Sequence, residues 1–136
     1  MKPSSILPHK AVALYDNSLI AHLPSGEASS PYALVPAPGL GRIMGVPWWQ
    51  ALTLGLKMPV IFDADDAPAL AASALRAGET WVICTATGPC LETVKDMARL
   101  CGGHILTSRP QALTLGRPPY NAYRIAQLHQ YLAPDT

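Results

Sequence analysis

The chain has 136 residues, of which 49% are hydrophobic and 14% are charged, and its formal net charge is +1. This composition is apolar enough to bury a core, so it excludes a disordered chain. The balance of charge and the absence of a Lys/Arg cluster exclude a nucleic-acid partner. The length is close to that of one common domain, so we expect a single α/β domain over residues 1–136.

The sequence shows no targeting, membrane or metal-binding signal. No apolar run approaches the roughly 20 residues that cross a bilayer, and residues 1–10 lack the apolar stretch of a signal peptide. Cys84, Cys90 and Cys101 are odd in number and lack C-x-x-C spacing, and the four histidines lack metal-ligand spacing. We therefore expect a cytoplasmic protein with no disulfide framework, no membrane contact, no metal and no cofactor.

Two short apolar runs, residues 11–15 and 18–22, lie near the start of the chain. Between them stand Asp16 and Asn17, residue types that favour a two-residue hairpin turn. The pattern predicts an N-terminal β-hairpin of antiparallel strands.

Residues 24–45 are rich in proline and glycine, which is typical of a loop, with a short strand predicted at 32–35. Within it, residues 38–45 read Pro-Gly-Leu-Gly-Arg-Ile-Met-Gly. This context resembles a dinucleotide-binding glycine loop, in which an acidic residue about 20 positions on binds the ribose; Asp63 stands near that distance. The G-x-G-x-x-x-G spacing differs from that motif, so we interpret the segment as a plain loop.

The clearest pattern lies in the middle of the chain, where apolar runs alternate with amphipathic helical stretches. It predicts helices at 67–77 and 89–101 between strands at 59–62, 80–84 and 104–107. Continuous apolar strands separated by helices indicate βαβ units with parallel strands. With a last helix at 120–132, we predict an α/β fold. It has a mainly parallel sheet of about four to six strands flanked by helices, plus the hairpin.

One hexapeptide occurs twice in the chain. Gln-Ala-Leu-Thr-Leu-Gly stands at residues 50–55 and again at 111–116, with no similarity on either side. We interpret both copies as short helical turns that end at glycine, and not as a duplicated unit.

Parallel sheets bind ligands beyond the carboxyl ends of their strands, because loops and helix N-termini gather there. The residues that follow the three central strands and carry polar or anion-binding groups are Asp63, Asp65, Thr85, Thr87, Gly88, Ser108 and Arg109.

These residues favour two kinds of chemistry. A carboxylate such as Asp63 can act as a base, bind a cation or hold a hydroxyl, while Arg109 and the amides near Thr87 suit an anion. The plainer interpretation is that Asp65 and Thr87 only cap the helices that follow them. If Asp63 is buried in a closed ion pair, a ligand site at this edge is sharply less favoured, whether for binding or for catalysis.

Trp48 and Trp49 form the other unusual feature in a chain with few aromatic residues. Neighbouring tryptophans do not share one helix face, so one of them can point outward and meet a partner. The alternative is that both pack in the core.

Three functions are therefore open. The first is a small module that binds a polar or anionic metabolite at the carboxyl edge of its sheet. The second is a non-catalytic subunit that associates through Trp48 and Trp49, and the high apolar content makes a homo-oligomer our expectation. The third is a small enzyme with Asp63 as base or metal ligand.

Overall fold

A computed structural model describes residues 7–24 and 29–134 of the chain. The strands are β1 Lys10–Leu14, β2 Tyr32–Pro36, β3 Ile61–Asp63, β4 Trp81–Ile83 and β5 His104–Leu106. The helices are α1 Leu40–Met44, α2 Val46–Thr53, α3 Pro68–Arg76, α4 Pro89–Cys101 and α5 Ala122–Tyr131, with a 3₁₀ helix at Asn17–His22. Within these described ranges, every helix is too short or too polar to cross a membrane.

All the strands that pair do so in parallel, as the βαβ pattern predicts. One sheet consists of β1 and β2, and the other has the order β3-β4-β5. The two sheets meet where the Leu34 amide donates to the Pro59 carbonyl at 2.9 Å, beside a parallel bridge between Leu34 and Val60. The parallel α/β class is confirmed. A sheet of about four to six strands is not confirmed, because the strands divide into sheets of two and three.

The predicted N-terminal hairpin does not form. Residues 18–22, which we predicted as its second strand, lie in the 3₁₀ helix Asn17–His22. Strand β1 pairs instead with the later strand β2. The reason is the side chain of Asp16, which accepts a hydrogen bond from the Ser18 amide at 2.8 Å and so caps a helical turn. Leu19 is thereby buried in the core.

The strands present two different apolar faces, because successive side chains point to opposite sides. Val12, Leu34, Phe62 and Val82 belong to the larger core cluster. That cluster also contains the buried residues of the long helices, namely Trp49 of α2, Ala71, Ala74 and Leu75 of α3, Val94 and Ala98 of α4 and Leu128 of α5. The helices therefore cover one face of the strands.

The opposite face carries a second buried cluster, formed by Ala13, Ala33, Val35, Ile61, Trp81 and Ile83. Residues 107–113, which we call the strap, follow β5 and pack on this face through Ala112. At its end Leu113 lies beside β1, where its amide donates to the Ala11 carbonyl at 2.8 Å. The Leu113 carbonyl accepts from the Ala13 amide at 2.9 Å. The strap thus leads from β5 to β1 over the face that the helices leave open.

The two copies of the hexapeptide adopt different structures. Residues 50–53 form the last turn of α2, as predicted, and Gly55 follows with a φ of 80°. Residues 111–116 contain no helix, and Leu113 at their centre bridges to Val12 of β1. The prediction of a helical turn at 111–116 is wrong, because pairing with a strand outweighs a local helical preference.

A buried carboxylate lies just before β4. Glu79 Oε2 accepts from Gln50 Nε2 at 3.2 Å, whereas Oε1 has no hydrogen-bond partner among the described residues. Burial raises the pKa of Glu79 above its ordinary value, and the hydrogen bond from Gln50 opposes this more weakly. The charged form of Glu79 therefore destabilises the fold.

We predict that Glu79→Gln stabilises the protein near neutral pH by on the order of 1 kcal/mol, because a neutral amide replaces a buried charge. The protonated form of Glu79 is the one that the folded protein tolerates, because the pKa of Glu79 is raised in the folded state. The contribution of Glu79 to stability is therefore fully present below the pKa that it has in the unfolded chain. It is lost as pH rises through the folded pKa. Chemical denaturation of both proteins should give similar stabilities near pH 4 and divergent ones near pH 7.

The control is Glu92→Gln, which changes an exposed glutamate on α4. This variant should leave the pH dependence of the unfolding free energy unchanged. If the unfolding free energy of Glu79→Gln and that of the parent protein changed equally with pH, the prediction would be contradicted.

Candidate functional site

Asp63 is the last residue of β3 and lies on the strap side of the strands. It follows Ile61 by two positions, and Ile61 belongs to the cluster beneath the strap. Its side chain is only 9% exposed. A buried carboxylate needs a partner, and the strap supplies one.

The partner is Arg109, a residue of the strap. Its Nη1 donates to Asp63 Oδ2 at 2.7 Å, and its Nη2 donates to the Pro36 carbonyl at 2.8 Å. Pro36 ends β2 and Asp63 ends β3, so one guanidinium joins the carboxyl ends of strands from both sheets. The planar fork of arginine suits such a double contact better than the single ammonium of lysine.

The hydrogen bonds continue from Asp63 to β4. The Asp65 amide donates to Asp63 Oδ1 at 2.8 Å, and the Thr85 amide donates to the Asp65 carbonyl at 2.8 Å. Asp65 adopts a left-handed backbone with a φ of 56°, which aspartate tolerates better than most residues. The ends of three neighbouring strands are thereby tied together through Arg109, Asp63, Asp65 and Thr85.

A glycine of the Pro/Gly-rich segment makes this edge compact. A Cβ on Gly41, in α1, would lie 2.5 Å from the Asp63 carbonyl oxygen, a distance that no real Cβ contact shows. Glycine is required here for close approach of α1 to the end of β3. The segment 38–45 therefore contains a packing glycine and a short helix, and is not wholly the loop that we predicted.

The sequence-predicted residues divide into two groups. Asp63, Asp65, Thr85 and Arg109 are joined by the hydrogen bonds given above. Thr87, Gly88 and Ser108 are exposed, and in the described ranges no hydrogen bond connects them to the Asp63–Arg109 pair. Gly88 precedes α4 with a φ of 77°, and no side chain of the described residues caps that helix.

Trp48 and Trp49 lie side by side on α2, with ring centroids 5.8 Å apart. Trp49 is wholly buried in the larger cluster, and Trp48 is half-buried against it. Most of the tryptophan surface therefore packs within the protein.

An open cavity of about 560 Å³ lies along the strap, a size within the range of ordinary ligand sites. Its lining residues are Arg109, Pro110, Gln111, Ala112, Leu113 and Tyr131. The Tyr131 hydroxyl, on α5, accepts from the Ala11 amide at 3.3 Å and so closes the edge of β1. Sequence reasoning did not find Gln111 or Tyr131, because no local pattern connects α5 with residues that follow β5.

No group of three or more His, Cys, Asp or Glu side chains in residues 7–24 and 29–134 is placed to hold a metal ion. Comparisons with protein-family models, curated proteins and solved structures found no match to this chain.

We predict strong coupling between Asp63 and Arg109. Arg109→Gln leaves a buried carboxylate without its partner and should cost about 3–5 kcal/mol of unfolding free energy. The double variant Asp63→Asn/Arg109→Gln removes both charges, so it should lose clearly less than the sum of the two single losses. A double-mutant cycle by chemical denaturation measures this coupling.

The matched control is the ion pair between Arg42 and Asp66, which lies at the same edge but is exposed. Because water screens this pair, Arg42→Gln and Asp66→Asn should each cost no more than about 1 kcal/mol and show little coupling. If the losses of unfolding free energy in Asp63→Asn and Arg109→Gln were additive, the two side chains would not be coupled. The buried pair would then not hold the strap.

Proposed function

We propose that the protein is a small binding module that takes a polar or anionic metabolite where the strap meets the carboxyl edge of the strands. The buried ion pair weighs against a ligand on Asp63 itself, so Arg109, the more exposed partner, is the principal contact in this proposal. The observation that carries it is the position of Arg109, which is fixed by Asp63 and Pro36 and also lines the open cavity.

The Arg109 guanidinium retains N–H donors for a ligand after its contacts with Asp63 and Pro36. Arginine has more N–H donors than the two that Asp63 and Pro36 engage. Its side chain remains 24% exposed, compared with 9% for Asp63. An arginine whose orientation is fixed by a buried partner loses little freedom when it binds a ligand.

The same contacts assign a different role to Asp63. Both of its carboxylate oxygens already accept hydrogen bonds, one from Arg109 and one from the Asp65 amide. A free base or a metal ligand needs an oxygen that is not so engaged. We therefore propose Asp63 as a positioning residue, and a binding function rather than an enzymatic one.

We predict that a thermal-shift screen against carboxylates, sugar phosphates and nucleotides identifies a stabilising ligand. At a hundredfold its Kd, a ligand adds about 2.7 kcal/mol to the folded state. Arg109→Lys retains the charge beside Asp63 but loses the planar fork, so it should weaken binding about tenfold or more. Calorimetric titration of both proteins measures the difference.

Arg42→Lys is the matched control, because Arg42 also pairs with an aspartate at this edge but does not line the cavity. It should leave the affinity unchanged. A screen with no stabilising compound, or a ligand bound equally by Arg109→Lys, would refute the proposal.

A second candidate function is self-association through α1 and α2, which pack against each other. In and directly after these helices, Ile43 is 78% exposed, Leu54 is 85% exposed, Met44 is exposed and Trp48 is half-buried. Several exposed large apolar side chains within one short stretch of chain are typical of a surface that another subunit covers. We propose a second copy of this chain as that subunit.

Light scattering tests this second candidate. If the face joins two copies, the parent protein should have twice the mass of one chain, and Ile43→Glu or Leu54→Glu should give the mass of one chain. Leu100→Glu is the control, because Leu100 is equally exposed but lies on α4. A parent protein with the mass of one chain would remove this candidate.

A further inference from the structure

We infer that the ligand of the strap cavity is a small monocarboxylic acid with an apolar body. This inference rests on the function proposed above and specifies the chemical class of its ligand. The charge, the hydrogen-bond donors and the lining of the cavity support it.

The charge at Arg109 is already compensated. Asp63 Oδ2 lies 2.7 Å from Nη1, so the pair brings no net charge to the site. A ligand gains from directional hydrogen bonds with the guanidinium, but each further negative charge is repelled by the carboxylate behind it. Lys10 Nζ, 5.7 Å from the centroid of the Tyr131 ring, adds a single positive charge beside the cavity. One negative charge on the ligand is therefore favoured over the two or more of a phosphate monoester or nucleotide.

The donors around the cavity require acceptors on the ligand. Arg109 carries only N–H donors. The Tyr131 oxygen already accepts the Ala11 amide, so its own O–H is a donor that a ligand can use. A carboxylate offers acceptors alone, and it matches this pair of donors better than a hydroxyl or an ammonium group does.

The rest of the lining is mostly apolar. Its apolar residues are Pro110, Ala112 and Leu113, and the amide of Gln111 lies among them. Gln111 can pair with one polar group of a ligand, whereas the several hydroxyl groups of a sugar would leave others unpaired at a cost in affinity. The three apolar side chains suit an aliphatic or aromatic body attached to the carboxylate.

Four probes with six-carbon chains test the inference by calorimetric titration, namely hexanoate, hexanamide, adipate and hexyl phosphate. We expect hexanoate to bind, and the other three to bind about tenfold more weakly or worse. Hexanoate affinity should fall about tenfold in Arg109→Lys and severalfold in Tyr131→Phe, and stay unchanged in Arg42→Lys. Circular dichroism of each variant confirms that it is folded.

The outcomes separate this inference from the proposed function. If hexyl phosphate or adipate binds more tightly than hexanoate, and binding depends on Arg109, the ligand class is wrong and the binding function stands. If none of the four probes binds but another compound stabilises the protein through Arg109, the inference is again overturned alone. If no compound binds through Arg109, both proposals are overturned.

Discussion

The contact of Arg109 with Asp63 and Pro36 is the constraint on which the arrangement of the sheets depends. Between the two sheets the backbone provides one isolated bridge, at Leu34 and Val60, among the described residues. The guanidinium adds a second connection at the carboxyl ends, because it bonds to β2 through Pro36 and to β3 through Asp63. A buried charge pair is costly to form, yet once formed it is costly to break. Together with the core clusters that span both sheets, the pair favours the alignment in which both strand ends meet the guanidinium.

The two faces of the strands are covered in different ways, and this difference places the candidate site. On one face, helices α2 to α5 pack buried side chains such as Trp49 and Leu128 against the strands. On the other face, a cluster that combines Ala13 and Ala33 with larger residues such as Trp81 packs against Ala112 of an irregular strap. An irregular segment covers a sheet less evenly than a helix does, and the open cavity lies beside it. The cavity is therefore found where the strap meets α5, which contributes Tyr131.

The parts of the fold that were predictable are those set by local pattern. Helix α4 has the predicted bounds, and β2 through β5 lie close to the predicted strands, because apolar periodicity, Pro89 and Gly102 define them locally. The prediction of an N-terminal hairpin was wrong, because an aspartate such as Asp16 favours both a hairpin turn and a helix cap. No local pattern in the sequence distinguishes the two. The rule for parallel sheets selected Asp63 and Arg109, which are in contact. Tyr131 and Ala11 stand 120 positions apart, and no local pattern connects such residues.

The hexapeptide in two conformations bears on the order in which the protein folds. The copy in α2 forms its helix from contacts near it in the chain, whereas the copy at 111–116 is extended where Leu113 pairs with Val12, about a hundred residues earlier. Contacts of such long sequence separation require a large loop to close, which slows folding. During synthesis, the strap cannot cover the apolar face of β1 and β2 until residue 113 has left the ribosome. The cavity needs Tyr131 of α5 as well as Arg109, so its lining is complete only after residue 131 has been made.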